Sequence, residues 1–228
     1  MKRSEINALI RDADAFFKAH GWNLPPFAYW TPADWSRRGP EVREIVEHGL
    51  GWDVTDFGSG KFEKIGLLLF SLRNGSLADL HKGGGKVYAE KLMIVGAGQV
   101  TPCHFHWTKV EDIINRGGGR LVIQLYNATA DENLADTEVL VSTDGVLRRV
   151  PSGSVLRLAP GESITLPTRM YHRFWGEGGR VLVGEVSTVN DDHTDNRFVE
   201  PIGRFPDIEE DEEPLYPLCS EYRRFWRG

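Results

Sequence analysis

The sequence predicts a mainly β protein, built as a single antiparallel β-barrel with N-terminal helices before it and a C-terminal arm after it. Short runs of β-forming residues, broken by Gly, Asn and Asp, recur from about residue 55, as is typical of a sandwich or barrel. Helical periodicity is confined to the first fifth of the chain. Because there is no internal repeat or long linker, we expect one domain with three parts, residues 1–54, 55–200 and 201–228.

The N-terminal part begins with an amphipathic segment. Over Ser4–His20 the apolar residues recur at intervals of three and four, and Gly21 follows as a helix stop. Proline at a first helical position marks two further helix starts, at Thr31-Pro32 and at Gly39-Pro40. Residues 1–54 are therefore predicted to be helical and to pack on the barrel.

The barrel is predicted from the β-type runs that follow. These runs are Lys64–Leu72, Val87–Val95, Val100–Trp107, Leu121–Asn127, Val139–Thr143, Val146–Val150, Val155–Leu158, Ser163–Leu166, Tyr171–Trp175 and Val181–Val186. Asp144-Gly145 separates two of them and predicts a type I′ hairpin, because that turn needs positive φ at both central positions.

The third part is an acidic and aromatic arm. Six acidic residues stand within 207–213, and they account for the whole net charge of −6, since the rest of the chain holds 27 acidic and 27 basic residues. Such a run usually forms a solvated face. The two cysteines, Cys103 and Cys219, have no disulfide or zinc spacing and are predicted to be buried thiols.

Composition also excludes classes of partner. A net charge of −6 argues against nucleic-acid binding. No apolar run approaches the roughly 18 residues of a membrane span, and the N-terminus carries charges where a signal peptide would be apolar. We therefore expect a cytoplasmic protein that binds neither nucleic acid nor membrane.

A metal centre is predicted from four residues. His104 and His106 are two apart on a β-type run, so both imidazoles face the same side. Glu111 follows five residues later, and two imidazoles with a carboxylate suit a divalent transition metal. His172 is the predicted fourth ligand, because an antiparallel barrel brings distant strands together.

The spacing of these residues resembles the paired motifs of the cupin family. The first block consists of Gly98, His104, His106, Glu111 and Gly118, and the second of Gly161, Pro167 and His172. The second block departs from the family where Arg169 replaces a usual Gly and Gly176 a usual Asn. Those positions affect turn geometry and the pocket wall, and they leave the four ligands intact.

Longer strings resemble a narrower group, the D-lyxose ketol-isomerases, over nearly the whole chain. The strings are His104–Ile113, Val189–Phe198 and Gly203–Tyr216. The resemblance implies a bacterial, manganese-dependent enzyme that interconverts D-lyxose with D-xylulose and D-mannose with D-fructose.

The residues can be matched to that chemistry. Aldose–ketose isomerisation moves a proton between C1 and C2, so it needs a Lewis acid at the sugar oxygens and a base near the carbons. One divalent ion per chain is expected. Mn(II) is favoured because an octahedral ion with four protein ligands keeps two positions for the sugar, while Co, Ni, Fe and Zn stay possible.

Three catalytic candidates are predicted. Lys109, two residues before Glu111, is expected to face inward with a pKa lowered by desolvation near a cation. Glu185 is the lone charge of the apolar run Val181–Val186. Asp192 lies in the polar segment after that run, where barrel-mouth loops carry substrate contacts. The base could be any of these, Lys91, or a water at the metal.

Three further residues are predicted to bind the substrate. Arg197 shares the polar segment with Asp192, and Lys91 lies beside Glu90, so that one of these two must face inward. Trp107 could stack on the sugar, although by parity it faces away from His106 unless the chain turns there.

Other functions of the same fold are kept as alternatives, because a fold alone does not give a function. They are a phosphoglucose isomerase, an Fe-dependent dioxygenase, and a non-catalytic sugar-binding protein. Exposed strand edges and the aromatic arm lead us to expect a homodimer.

Overall fold

The protein is described here by a computed structural model that covers residues 1–228. It is mainly β. The helices are α1 (Arg3–Ala19), α2 (Pro32–Trp35), α3 (Arg43–Glu47), α4 (Leu77–Lys82) and α5 (Tyr222–Phe225). The strands are β1 (Gly51–Thr55), β2 (Leu67–Arg73), β3 (Tyr88–Val95), β4 (Thr101–Phe105), β5 (Glu111–Ala128), β6 (Leu134–Ala135), β7 (Val139–Thr143), β8 (Val146–Val150), β9 (Val155–Leu158), β10 (Ser163–Leu166), β11 (Met170–Thr188) and β12 (Arg197–Phe198).

All strand pairs are antiparallel, which confirms the predicted class. The main path runs β1-β2-β3-β11-β5-β10-β7-β8, and β4 pairs with β11 and β12 beside that path. The hydrogen-bonded path does not return on itself, so the barrel is a rolled sheet with free edges at β1 and β8.

The long strands β5 and β11 form the centre of the sheet, and each exceeds the run predicted for it. Both contain glycines at a bulge, where the pairing register shifts between Glu177 and Val181. Gly118 there has φ +88°, and a Cβ would lie 2.2 Å from the Arg180 carbonyl oxygen. Glycine normally indicates a break in a strand. The sequence therefore predicts shorter, separate strands where β5 and β11 are continuous.

The first strand begins earlier than the predicted barrel boundary at residue 55. β1 occupies Gly51–Thr55 and pairs with β2. Every residue of β1 is buried, because one face of the sheet is covered by α1 and the other by the interior of the roll. The alternation that reveals a half-exposed strand is therefore absent.

The sheet separates two apolar cores. The inner core fills the roll, with residues such as Met93, Ile113 and Val183. The outer core lies between the sheet and α1, where Ile10 and Phe17 are fully buried. The amphipathic helix predicted at the N-terminus is thus confirmed, and it covers the sheet as expected.

The C-terminal arm lies along α1. Buried Arg3 pairs with Glu210 and with Glu221, and Asp211 accepts hydrogen bonds from Ser4. All six acidic residues of the run 207–213 are exposed, as expected for a solvated face, while several of them also bind the N-terminal helix.

Three local features complete the fold. The predicted hairpin is confirmed, with φ +50° at Asp144 and +79° at Gly145. Helix α4, which the sequence analysis missed, is a short surface helix capped by the Ser76 side chain.

None of the helices combines the length and apolarity needed to cross a membrane.

Candidate functional site

The four predicted ligands lie together inside the roll. His104 on β4 stands directly opposite His172 on β11, His106 follows the end of β4, and Glu111 begins β5. Nitrogen atoms of the three imidazoles lie within 4.8 Å of one another. Glu111 Oε1 is 3.2 Å from His172 Nε2 and 3.5 Å from His106 Nε2. The four side chains predicted as ligands thus converge on one point.

The orientation of each ring is fixed by its other nitrogen. Nδ1 of His104 lies 2.8 Å from the Pro102 carbonyl oxygen, and Nδ1 of His172 lies 3.1 Å from that of Met170. Nδ1 of His106 contacts the carbonyl oxygen of Asp195. A carbonyl only accepts, so each Nδ1 carries the proton and each Nε2 keeps its lone pair.

Two of the inward donor atoms have no partner in the protein. His106 Nε2 and Glu111 Oε1 are buried without any hydrogen bond, a situation that folded proteins usually avoid. A cation between them would satisfy both atoms. Three imidazole nitrogens and one carboxylate suit a divalent transition metal, so the residues fit the predicted ion.

The charge states of the ligands favour metal binding as well. Burial lowers the pKa of His172 to about 4 and that of His104 well below its usual value, helped by the neighbouring imidazoles. Burial opposes ionisation of Glu111, but Lys109 and His106 outweigh it and hold the pKa of this carboxyl well below normal. Neutral imidazole and carboxylate are the forms that ligate metals.

A chain of buried ions borders the ligands. Lys109 Nζ lies 2.7 Å from Glu111 Oε2 and 3.1 Å from Glu185 Oε1, and Lys91 Nζ lies 3.2 Å from Glu185 Oε1. Asn190 Oδ1 accepts hydrogen bonds from both lysines, at 2.6 Å from Lys91 and 3.3 Å from Lys109. The site therefore contains a carboxylate held between two ammonium groups.

Two expectations about these lysines are now answered. Lys91 faces inward, while Glu90 pairs with Arg73 on the other side of β3. The expected lowering of the Lys109 pKa is wrong. Burial does lower it, but the adjacent carboxylates of Glu111 and Glu185 outweigh burial and raise the pKa. Lys109 is therefore an ammonium group in this structure.

Asp192 borders the same cavity from the loop after β11. Its carboxylate lies 3.1 Å from an Arg204 nitrogen, and Arg204 also pairs with Asp53. Burial opposes ionisation of Asp192, but Arg204 holds the pKa of this carboxyl far below normal. Arg204 belongs to the C-terminal arm, so the arm contributes a cation to the site, and its acidic run lies elsewhere.

One small cavity of about 40 Å³ is lined by the four predicted ligands and by Lys91, Lys109, Glu185, Asp192 and Arg204. A second cavity of about 500 Å³ adjoins it, and Asp192 lines both. Asn190 lines the larger cavity with its neighbours in the loop. The loop 189–192 is thus the wall between the ligands and the larger space.

Two predicted substrate contacts lie outside the cavity. Trp107 is 39% exposed, and its Nε1 donates to Glu132 at 2.7 Å. Arg197 Nε donates to the same carboxylate at 3.1 Å. Arg197 stands opposite Phe105 in the β4–β12 pair, and alternation turns both away from the ligands. Substrate binding by Trp107 and Arg197 is therefore not supported, and Phe198 faces the cavity instead.

The sequence analysis missed four polar or aromatic residues at the site: Asn190, Asp195, Phe198 and Arg204. All of them lie in the strings that resemble the isomerase family, but Phe198 is on the two-residue strand β12 and the other three are in loop and arm segments, so none has a regular periodicity around it. Nothing in their spacing indicates which of them face inward, because that depends on how the loop and arm fold back over the roll.

Comparison with known proteins identifies the family. A family model described as D-lyxose isomerase matches residues 1–222. The chain belongs to the D-lyxose isomerase family. A D-lyxose/D-mannose isomerase from Serratia proteamaculans is 52% identical over 99% of both chains. A D-lyxose/D-mannose isomerase from Escherichia coli O157:H7 is 50% identical over 99% of this chain and all of its own length, 100%.

Solved structures resemble this D-lyxose isomerase family member in fold. An L-ribose isomerase from Cellulomonas parahominis has a TM-score of 0.60 at 18% identity, over 92% of this chain and 98% of its own. That from Geodermatophilus obscurus has a TM-score of 0.61 at 16% identity, with the same coverage of 92% and 98%. At such identities the likeness establishes the rolled antiparallel fold alone.

Proposed function

We propose that the protein is a divalent-metal-dependent aldose–ketose isomerase that interconverts D-lyxose with D-xylulose and D-mannose with D-fructose. One observation carries the proposal: three imidazoles and a carboxylate, with His106 Nε2 and Glu111 Oε1 unpartnered, share a buried cavity with the Lys91, Glu185 and Lys109 ion chain. The names of the two relatives identify the sugars, and the cluster supplies the chemistry that such sugars need.

His104, His106, Glu111 and His172 would hold the metal. Once bound, a divalent ion supplies a Lewis acid for the carbonyl oxygen and the neighbouring hydroxyl oxygen of the sugar. We favour Mn(II), because an octahedral ion keeps two positions after four protein ligands. Co, Ni, Fe and Zn suit the same donors, so metal substitution is part of the test.

Glu185 is the proposed base. Conversion of the aldose to the ketose removes a proton from C2 and places a proton on C1, while the carbonyl moves from C1 to C2. Burial opposes ionisation of Glu185, but Lys109 and Lys91 lower the pKa of its carboxyl. Its carboxylate can take the C2 proton and return it to C1, so that no net proton is lost.

Lys109 and Lys91 have a complementary role. O2 of the aldose loses a proton and O1 gains one, so the oxygens need a donor and an acceptor. Lys109 already donates to Glu185 and Glu111, and as an ammonium group it is placed to donate to a sugar oxygen and to recover the proton from the other. Lys91 is proposed to bind a sugar hydroxyl.

Asp192 is proposed to accept a hydrogen bond from the part of the sugar that does not react. The cavity beside the ligands, about 40 Å³, is small for a whole sugar. Asp192 also lines the adjoining 500 Å³ cavity, so we place the far end of the sugar at this carboxylate.

A panel of aldoses assayed with Mn, Co, Ni, Zn and Fe in turn tests the proposal. We expect D-xylulose from D-lyxose and D-fructose from D-mannose, with the highest rate in Mn(II). Turnover of glucose 6-phosphate instead would favour a phosphoglucose isomerase, and oxygen consumption with Fe would favour a dioxygenase. Tight sugar binding without turnover in the metal-loaded protein would identify a non-catalytic binding protein.

The proposed enzyme is a cytoplasmic homodimer. The free edge strand β8 supports a dimer, because Val146 and Leu147 on it are 58% and 65% exposed, and such apolar edges are usually covered. Sedimentation of the purified protein at several concentrations tests the dimer: a single species of twice the chain mass is expected, and a monomer throughout would contradict it.

A further inference from the structure

Asp195 lies in the loop between β11 and β12 and is 3% exposed. Its carboxylate accepts three backbone hydrogen bonds from consecutive residues of another segment. Oδ1 accepts from Trp107 N at 2.7 Å and from Thr108 N at 2.9 Å, and Oδ2 accepts from Lys109 N at 2.9 Å. One side chain therefore holds the whole turn that connects β4 to β5.

The same residue also contacts a predicted metal ligand through its backbone. The carbonyl oxygen of Asp195 accepts the hydrogen bond from Nδ1 of His106. The turn held by the carboxylate begins immediately after His106 and ends two residues before Glu111. Asp195 thus fixes the chain on both sides of that turn, between two of the four ligands.

We infer that Asp195 is a positioning residue for the metal centre: its carboxylate locks the turn 107–109 so that His106 and Glu111 present their donor atoms to one ion. The inference rests on the proposed metal-dependent function. Asp195 lines neither of the two cavities, and it acts through His106 and the turn 107–109.

The turn needs a side chain with two oxygen atoms that accept hydrogen bonds. Three N–H donors converge on one side chain, and a carboxylate is acceptor-only with two oxygens. An asparagine would keep one accepting oxygen, and its amide NH₂ would face the N–H of Lys109. Asp195→Asn therefore loses the third hydrogen bond and introduces a donor facing a donor, while its size is nearly unchanged.

A looser turn should weaken metal binding more than it weakens the fold. The backbone carbonyl of residue 195 stays as the partner of His106 Nδ1, but a turn no longer held at Lys109 lets His106 and Glu111 move relative to each other. Outer partners of metal ligands typically contribute about 10 to 100-fold to metal affinity. We expect a loss of that order in Asp195→Asn and a larger loss in Asp195→Ala.

The control is Asp191→Asn in the same loop. The Asp191 carboxylate accepts from the backbone N–H groups of His193 and Thr194 and from the Thr194 hydroxyl, all within its own loop. The chemical change is identical, but Asp191 has no contact with the turn 107–109. We expect this variant to bind Mn(II) like the wild type.

Two measurements test the inference: the dissociation constant of Mn(II), followed by electron paramagnetic resonance of the free ion, and hydrogen exchange of the Lys109 amide in the metal-free protein. In Asp195→Asn we expect weaker Mn(II) binding together with faster exchange at Lys109. Because Asp195→Asn keeps two of the three bonds, it should fold even where Asp195→Ala does not.

Several outcomes would overturn the inference about Asp195. If Asp195→Asn binds Mn(II) as tightly as the wild type, or protects the Lys109 amide equally, Asp195 does not position the centre. An equal loss of affinity in Asp191→Asn would attribute the effect to the loop in general. If the wild type itself binds no Mn(II), the proposed metal centre fails as well, which separates that failure from the former ones.

Discussion

At the scale of single residues, the proposed role of each side chain depends on which of its atoms already bind other groups of the protein. Each imidazole uses Nδ1 on a backbone carbonyl, which leaves the Nε2 atoms for a common ligand. The carboxylates differ in the same way, since Glu111 keeps one buried oxygen without a partner whereas Glu185 is held between two lysines. These contacts distinguish the proposed ligand, Glu111, from the proposed base, Glu185.

The ligand assignment predicts the result of His172→Ala. The variant should lose the bound metal, because His172 supplies one of the four converging donors, and its turnover should fall with the metal content. Metal analysis of the purified protein measures this. His81→Ala is the control, since His81 is exposed on α4; full metal content in His172→Ala would remove it from the ligand set.

The base assignment predicts that Glu185→Gln keeps its metal and loses rate. A general base contributes about 10² to 10⁴-fold, so kcat should fall by about that factor with little change in metal affinity. Glu90→Gln is the matched control, because Glu90 lies on the neighbouring strand and points to the other face, toward Arg73. A kcat within a few-fold of the wild type would move the base to another residue.

The sequence predicts the four proposed ligands but not several of the residues that surround them, for a physical reason. His104, His106 and Glu111 lie on or beside strands, where alternation decides the direction of each side chain. The inward direction of Lys109 is predicted correctly, but the direction of its pKa shift is not, because the carboxylate of Glu111, with that of Glu185 from a distant strand, outweighs burial. The contacts of Asp192 depend on Arg204 in the arm, which no local pattern indicates.

At the scale of elements, the glycines of β5 and β11 let two long strands cross the whole roll. Beside their bulge, Gly176 lies against the segment 96–98. The N–H of Gly176 donates to the Gly96 carbonyl oxygen, and the N–H of Gly98 donates to the Gly176 carbonyl oxygen. The sequence suggested separate short strands at this point, because glycine more often ends a strand than bends one. Close backbone contact explains why glycine stands at position 176, where the cupin motif usually has asparagine.

Gly176→Ala should therefore destabilise the protein. A Cβ at this position would lie 2.7 Å from the Gly96 carbonyl oxygen and 2.8 Å from that of Gly179, and both are backbone atoms that cannot rotate away. We expect a loss of about 1 to 3 kcal/mol in the free energy of unfolding, as for other overpacked sites. In urea unfolding, Gly84→Ala is the control, because no atom lies within 4 Å of its added Cβ.

The contact between α1 and the arm gives a second prediction at this scale. Arg3 is fully buried and pairs with Glu210 and Glu221, of which Glu221 is also buried. Arg3→Ala would remove the buried partner of Glu221 and leave it the half-exposed Arg224, 2.8 Å away. We therefore expect a loss of about 3 kcal/mol in the free energy of unfolding, the lower end for a broken buried pair.

Urea unfolding measures that cost, with Arg43→Ala as the control. Arg43 and Glu47 form an exposed pair on α3 with 3.8 Å between charged atoms, and surface pairs of this kind contribute about 0 to 1 kcal/mol. Equal effects of the two substitutions would show that the arm is not held by Arg3.

At the scale of the whole molecule, the net charge of −6 has a definite location. It comes from the run 207–213, which binds α1 through Arg3, Ser4 and Asn7. The charge therefore has a structural role at the back of the sheet. The arm reaches the ligand cavity through Arg204, whose pairs with Asp53 and Asp192 connect the arm, the sheet and the cavity wall. Further arm residues, among them Ser220 and Arg223, line the adjoining larger cavity.

One measurement tests the central claim most directly. Protein stripped of metal with EDTA is titrated with Mn(II) while D-lyxose turnover and bound metal are measured together. We predict no turnover without metal and a rate that rises in proportion to bound Mn(II) up to one ion per chain. Undiminished turnover in the stripped protein, or one bound ion per chain with no conversion of D-lyxose, would contradict the account.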